Sequence, residues 1–488
     1  MHNFDEICEV ASNEKLGQHF IASFDIAPGE IILREKPLLI APHWESAQMK
    51  CSNCFSDSYV ICKKCQLFPL CIDCATHDEF DCNFFQTNAK TISKDLLVKN
   101  YAIFAALKLL LLIENPKTSA DVDAVLGKKF YIDQFRDSEM WQEQATNVVD
   151  PILKSGIAEM FTKFKVNADF LHKVCFLIDD SSFEVVSNKN GCGDSLKGVY
   201  VYGAKFPHHC VPNTVIAIND DFNMQIYAAV PIRRGEVIYN SYANPLMGTS
   251  QRQHHIYMTK HIECACARCL DPTELGTHMS SMKCKQCTYG YAVCDTLKNS
   301  NWICTECGAV LDATTVHKLL AEVGEEMVFA NGNLHLYEAL LAKYSMHFHE
   351  NHFLIIDIKQ NIATILRAIV MNHMCSPDKK LLERRVQLCE QIFPVVRAVL
   401  PGISKLYAIA LYEYLISFLE LTDMQLKNGE FTLEAYMGRQ QLAGELAAEA
   451  MQMLSFEPTD TPEGQLVHII GLLLKQIQEN MKQNSDAK

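Results

Sequence analysis

Cysteine pairs recur along this chain at the spacing that grips a metal ion. Residues 51–82 carry Cys51-x2-Cys54, Cys62-x2-Cys65 and Cys71-x2-Cys74, followed by His77 and Cys82. Eight such ligands fill two tetrahedral zinc sites, and a segment this short builds no core of its own without them. Cys284-x2-Cys287 and Cys304-x2-Cys307 stand sixteen residues apart, which is zinc-ribbon spacing, with Cys294 between them as a spare thiol. A further group is incomplete. Cys264, Cys266 and Cys269 place three thiolates within six residues, and the fourth ligand must come from elsewhere. Cys210 is the nearest upstream candidate. If it serves, the metal ties two segments some fifty residues apart into one wall, with Tyr242 between them in sequence.

Composition bounds what surrounds these clusters. A chain of 488 residues makes two to four domains at ordinary domain size. Its 49% hydrophobic and 21% charged residues are those of a globular protein with ample core. A net charge of −14 argues against direct nucleic-acid binding, which needs a basic face to displace counterions. The same charge suits a basic protein or peptide partner. The first ten residues include Asp5, Glu6 and Glu9 and no apolar signal segment. The apolar run 102–113 is interrupted by Lys108 and is too short to span a bilayer. The expectation is an intracellular protein of cytoplasm or nucleus, with no membrane association, whose 21 cysteines bind zinc rather than form disulfides.

The elements that must position these groups read as follows. Residues 4–48 are strands and turns: an apolar segment at Phe20–Phe24, a Pro28-Gly29 turn, and strands at Ile31–Leu33 and Leu38–Ile40. Residues 94–178 are helical, with an almost all-round apolar helix ended by Asn115-Pro116 and another from Phe164 to Ile178. Strand texture returns over 183–243: Phe183–Val186, a Gly-rich loop at 190–193, Val199–Tyr202, Val215–Ile218 and Ile226–Val230. From about 313 to 481 Gly and Pro become sparse, and apolar residues recur at three- and four-residue steps, as in a degenerate array of paired helices.

This order of parts resembles the SET-and-MYND-domain family over essentially the whole chain. The residues that carry the resemblance are the cysteine cassette after residue 50, His208-His209-Cys210-Val211-Pro212-Asn213, Ser241-Tyr242, the Cys264/Cys266/Cys269 knuckle and the helical tail. The run Cys264–Thr277 followed by the ribbon looks like the arthropod branch. The resemblance implies an α+β, multidomain fold: a split β-rich SET domain with an inserted MYND zinc finger, a post-SET zinc knuckle, a zinc ribbon and a C-terminal α-helical, TPR-like array. Its parts would be 1–50 (first SET part), 51–82 (MYND finger), 83–182 (helical insert), 183–245 (SET core), 246–277 (post-SET), 278–312 (ribbon), 313–481 (helical domain) and 482–488 (disordered tail).

SET domains transfer a methyl group from S-adenosylmethionine to a lysine amine, so the resemblance implies a protein-lysine N-methyltransferase acting on a histone or other basic protein. Tyr242 matches the family's catalytic tyrosine, and Gly17, Gln18, His208 and Tyr242 match cofactor positions. The implied metal sets are Cys51/Cys54/Cys71/Cys74, Cys62/Cys65/His77/Cys82 and Cys210/Cys264/Cys266/Cys269, which with the ribbon makes about four zinc ions. Other cofactor positions depart from the pattern. Pro207 stands where an amide-bearing asparagine is usual and offers neither a side-chain amide nor a backbone N–H. His19 replaces a glycine, Ser181 an asparagine and Ile262 an aromatic. Each lost polar contact costs about 1–3 kcal/mol, and three together weaken binding by about a hundredfold to over a millionfold if additive. Two functions therefore stay open: an active methyltransferase, or a catalytically dead adaptor that binds protein partners through the finger, the cleft or the helical tail.

Overall fold

The structure, a computed structural model, describes residues 4–14, 16–43, 49–58, 60–88, 96–117, 119–127, 133, 135–136, 138–186, 195–294, 301–372 and 378–485. A short helix α1 (Phe4–Ile7) leads into the hairpin β1 (Cys8–Asn13) and β2 (Gly17–Ala22), then β3 (Ile31–Glu35) and β4 (Leu39–Pro42). The cysteine cassette follows, with the small pair β5 (Val60–Ile61) and β6 (Pro69–Leu70). Helices α2 (Glu79–Asn88), α3 (Leu96–Lys99), α4 (Phe104–Glu114), α5 (Ser119–Leu126), α6 (Glu139–Gln144), α7 (Asp150–Lys154) and α8 (Ala168–Ser181) come next. The chain then returns to strands: β7 (Ser182–Val186), β8 (Ser195–Val199), β9 (Thr214–Ile218) and β10 (Met224–Ala228).

Strand pairing shows how the two strand blocks meet. β3 pairs with β10 in the order β3-β10-β9, and β4 pairs with β8 in the order β4-β8-β7, all antiparallel. Strands from before and after the cassette and α2–α8 thus share the same sheets. Their apolar positions form one core, including Phe20, Ile32, Leu33, Tyr200, Phe206, Ile226 and Ile238. Helix α4 is buried on most sides, as its nearly continuous apolar sequence requires, and ends at Asn115.

Beyond β10 lie α9 (Thr249–Lys260) and α10 (Ala267–Leu270), then the ribbon sheet β11 (Met282–Lys283), β12 (Tyr291–Cys294), β13 (Trp302–Cys304) and β14 (Val310–Leu311). Seven helices complete the described chain: α11 (Ala313–Ala330), α12 (Leu334–Tyr344), α13 (Phe353–Asn372), α14 (Lys379–Val399), α15 (Lys405–Lys427), α16 (Leu433–Leu454) and α17 (Pro462–Ser485). Each packs on the next through a continuous apolar core. The architecture is mixed α and β with a helical C-terminal array, as the sequence indicates.

The array is keyed to the end of β10. Ile403 donates its N–H to the Ala229 carbonyl at 2.9 Å. The preceding Gly402 has φ of +75°, and a Cβ there would stand 2.1 Å from the same oxygen, so glycine answers both the turn and the close approach. Tyr227 stacks on Phe456 with ring centroids 5.4 Å apart and donates to Glu457 at 2.9 Å. These contacts hold the array against one side of a cleft described below.

Three sequence readings need correction. The helix expected from Phe164 starts at Ala168, because the Asn167 side chain accepts the Phe170 N–H at 2.9 Å and caps it. The strand expected through Tyr202 stops at Val199. The N–H groups of Val201, Tyr202 and Gly203 turn onto the Glu35 carboxylate at 2.5, 2.9 and 2.7 Å and leave the ladder despite high strand propensity. Lys482–Ser485, expected to be unstructured, extend α17, which meets no Gly or Pro after Gly471. The Gly-rich loop 190–193 and residues 486–488 lie outside the described residues.

The join between ribbon and array carries a pH prediction. His352 stacks on Phe348 and Phe353, with centroids 4.2 and 4.5 Å apart, and His349 stacks on His278. Burial pushes the His349 imidazole down to about 4, helped by His278, Lys283 and Lys359. Burial, with His349 beside it, takes His352 to about 3. Such a ring takes its proton more readily once unfolded, where its pKa is about 6.5. Stability is therefore intact above about pH 6.5 and falls below it, by about 1.4 kcal/mol per pH unit for each ring. His352→Phe keeps an aromatic ring and removes one titration. Its melting temperature should decline less steeply than wild type between pH 6.5 and 4.5, and parallel slopes would contradict this reading.

Candidate active site and metal centres

Four sets of side chains converge with ligand atoms within 4.8 Å of one another: Cys51/Cys54/Cys71/Cys74, Cys62/Cys65/His77/Cys82, Cys210/Cys264/Cys266/Cys269 and Cys284/Cys287/Cys304/Cys307. The first two interlock, since the first and third cysteine pairs share one cluster while the second pair joins His77 and Cys82. Measured Sγ–Sγ separations include 3.6 Å for Cys54–Cys71, 3.9 Å for Cys62–Cys82, 3.5 Å for Cys210–Cys269 and 3.7 Å for Cys287–Cys304. A disulfide needs about 2.05 Å. Four sulfurs around a tetrahedral ion at about 2.3 Å stand about 3.8 Å apart, which these distances match. Burial, then the Lys108 charge, pushes His77 down to about 4, so its imidazole is neutral at pH 7 and keeps a lone pair for a cation. All four donor sets fit a zinc-type ion.

The Cys210 cluster rests on a buried charge network that no spacing rule reveals. Arg252 of α9 is fully buried. It donates from Nε to Cys210 Sγ at 3.3 Å, from Nη2 to Cys269 Sγ at 3.7 Å and from Nη1 to Glu274 at 2.8 Å. Arg268 reaches the same Glu274 oxygen from Nε at 3.1 Å and the Cys210 carbonyl at 3.4 Å. A divalent ion with four thiolates is a dianion. Two guanidiniums less one carboxylate offset half of that charge, and Arg252 directs N–H groups at two of the sulfurs.

From this cluster the chain leads directly to Tyr242. His208 lies 3.2 Å from Cys210 Sγ through Nε2, and its Nδ1 accepts the Tyr242 N–H at 3.0 Å. The Asn213 side chain donates to the Val237 carbonyl at 2.9 Å and accepts from the Tyr239 N–H at 2.7 Å, pinning the extended segment that leads to Ser241-Tyr242. The Tyr242 hydroxyl donates to the Phe206 carbonyl. Burial, then Asp180, raises its pKa, so the phenol stays protonated. Tyr242 and Phe183 meet edge-on with centroids 5.6 Å apart.

These rings line one side of a cleft of about 1220 Å³ between the strand block, α4, α6, α8, α9 and the helical array. Its acidic lining (Glu143, Asp179, Glu184, Asp220, Glu457 and Glu463) outnumbers its lysines (Lys197, Lys260 and Lys405). Burial raises the pKa of Glu457, whose charge Lys405 partly offsets.

The positions matched to a cofactor divide in two. Gly17 closes the β1–β2 hairpin at φ of +63°, and no atom lies within 4 Å of where a Cβ would stand. Gln18 beside it is exposed. The open space at Gly17 and the exposed Gln18 fit a close-approaching nucleoside. The others do not. Both ring nitrogens of His208 are engaged by Cys210 and Tyr242. Pro207 offers only its carbonyl, which accepts the Asn240 N–H at 3.0 Å. His19 is buried, with its ring turned back to the Gly17 carbonyl at 2.9 Å. Ser181 is fully buried at the end of α8, and Ile262 is exposed.

No family model matches the chain. It is 25% identical over 287 residues to the SET domain-containing protein SmydA-8, isoform B, of Drosophila melanogaster, a match covering 57% of this chain and 60% of that one. It is 24% identical over 345 residues to the histone-lysine N-methyltransferase ASHR1 of Arabidopsis thaliana, covering 65% and 68%. A segment of 68 residues is 34% identical to the histone-lysine N-methyltransferase SET5 of Candida glabrata, covering 14% of this chain and 13% of that one. The chain thus spans about three-fifths of the length of SmydA-8. The chain is a homologue of SET domain-containing proteins, SmydA-8 among them.

Proposed function

We propose that the chain is an S-adenosylmethionine-dependent protein-lysine N-methyltransferase of the SET/MYND type, acting on a histone or another basic protein, with one zinc ion in each of its four clusters. The observation that carries this reading is the placement of Tyr242. Its hydroxyl is fixed on the Phe206 carbonyl and its ring faces Phe183 at the wall of a net-acidic cleft. Such a cleft suits a lysine-bearing segment. The names of the relatives ASHR1 and SET5 point to the same substrate class.

When bound, S-adenosylmethionine supplies an electrophilic methyl group on a sulfonium. Gly17, Gln18 and Tyr242 are the residues that would meet it. Tyr242 and Phe183 orient the lysine amine and exclude water from it, which favours the neutral, nucleophilic form. His208 acts through Tyr242 by holding its backbone. Zinc gives these segments their shape and takes no part in the transfer. Protein partners reach the chain through the cleft, the finger or the helical array, in cytoplasm or nucleus.

A second reading, a SET-fold adaptor that transfers nothing, is favoured by Pro207, the inward His19 and the engaged His208 ring. Labelled methyl transfer to histones and Lys-rich peptides decides between them. The methyltransferase reading predicts label on lysine, reduced about a hundredfold or more in Tyr242→Phe. No label from the wild-type chain, together with no binding of S-adenosylmethionine, would favour the adaptor.

A further inference from the structure

The inner end of the cleft already holds an ammonium group, and the chain itself supplies it. Lys260, the last residue of α9, is only 7% exposed. Its Nζ donates to the main-chain carbonyls of Asp179 at 3.0 Å, Asp180 at 3.1 Å and Ser182. An ammonium has three N–H donors, and here three acceptors receive them. Asp179 and Asp180 belong to the final turn of α8, where carbonyls lose their helical partners and carry the negative end of the helix dipole. Ser182 opens β7 directly after it.

Two aromatic faces complete the enclosure. Nζ lies 5.1 Å from the centroid of Phe183 and 5.1 Å from that of Tyr242. Carbonyl oxygens combined with aromatic faces are the surroundings that select an alkylammonium ion. The next residue, His261, fixes the aim. It takes left-handed backbone geometry with φ of +58°, and its ring packs against Phe135 and Phe176 at 5.2 and 4.8 Å, which stops α9 where Lys260 enters the cage.

The geometry points to this cage as the amine subsite of the cleft, with Lys260 as its built-in occupant, closing it to a lysine from another protein. The inference rests on the reading of Tyr242 as the residue beside the reacting amine. With all three protons bound, Lys260 has no nucleophilic lone pair. It blocks the site and is not methylated there. An incoming lysine competes for the same carbonyls and rings, and enters when Lys260 withdraws.

Lys260→Ala tests this. The variant removes everything beyond Cβ, a space that n-propylammonium matches atom for atom. Millimolar n-propylammonium chloride should raise the melting temperature of Lys260→Ala in proportion to its concentration, leave wild type unmoved, and act where neutral 1-propanol does not. Equal responses of variant and wild type, or of ammonium and alcohol, would overturn the proposal. Amine acylation of the wild-type chain with peptide mapping needs no variant. Lys260 should react about tenfold or more slowly than exposed lysines, because it must open to be reached. Labelling at the surface rate would equally overturn it. Neither readout uses methyl transfer, so an inactive transferase leaves both standing.

Discussion

Replacing Cys210 with serine is expected to release one zinc ion per chain and to loosen the wall that carries Tyr242. Cys210 joins the loop at 206–213 to the knuckle at 264–269, and its sulfur is also the contact for the His208 ring and the Arg252 guanidinium. Structural zinc contributes about 10–16 kcal/mol in small finger peptides near pH 7, as much as the whole stability of an ordinary domain, about 5–15 kcal/mol. Losing one of four thiolates therefore outweighs any single packing contact nearby. Metal analysis should return four zinc ions for wild type and three for Cys210→Ser. The variant should also lose its cooperative melting transition or shift it far down. Unchanged metal content would contradict the assignment of Cys210 as the fourth ligand.

Arg252→Ala is expected to be nearly as damaging, although Arg252 touches neither solvent nor the cleft. The substitution strips N–H donors from two thiolates and leaves the buried Glu274 carboxylate with one guanidinium, that of Arg268, and the Ser280 hydroxyl. Breaking a buried pair by removing one partner costs about 3–5 kcal/mol, because a charge stays behind uncompensated. Arg252→Lys should recover little, since one ammonium cannot reproduce the guanidinium fork that reaches Cys210, Cys269 and Glu274 together. Zinc release to a chromogenic chelator should be about 10–100-fold faster in Arg252→Ala, the usual cost of losing a group that orients metal ligands. Denaturant unfolding gives the stability loss. Wild-type release rates in both variants would show that the network is not coupled to the metal.

What could be read in the sequence was whatever leaves a short-range signature. Paired cysteines two residues apart announce themselves, and Cys210 stands out as the nearest upstream candidate to complete the Cys264/Cys266/Cys269 group, whereas the division of the eight cassette ligands between two sites comes from the family resemblance. Strands such as Thr214–Ile218 and the helices after residue 313 show their periods locally. The errors arose where a distant residue overrides a local preference. Val199–Tyr202 has strong strand propensity, yet Glu35 draws off the N–H groups of Val201 and Tyr202. Lys260, Arg252, Arg268 and Glu274 leave no signature in the sequence. Each is a single charged residue whose partners lie on other segments or on the backbone, and nothing in its neighbours distinguishes it from a solvated one. His208 was matched to a cofactor position, and the structure turns its ring toward Cys210 and the Tyr242 backbone.

Methyl transfer requires that the chain bind its donor, and the altered positions at His19, Ser181, Pro207 and Ile262 bear on that step alone. Lys260 occupies the amine end of the cleft and does not obscure the measurement. Isothermal calorimetry of the wild-type chain with S-adenosylmethionine therefore tests the central claim most directly. The account predicts saturable heat with a micromolar dissociation constant, carried by the open space at Gly17 and the exposed Gln18. No heat up to millimolar ligand would contradict it and leave a zinc-braced SET fold that binds without transferring.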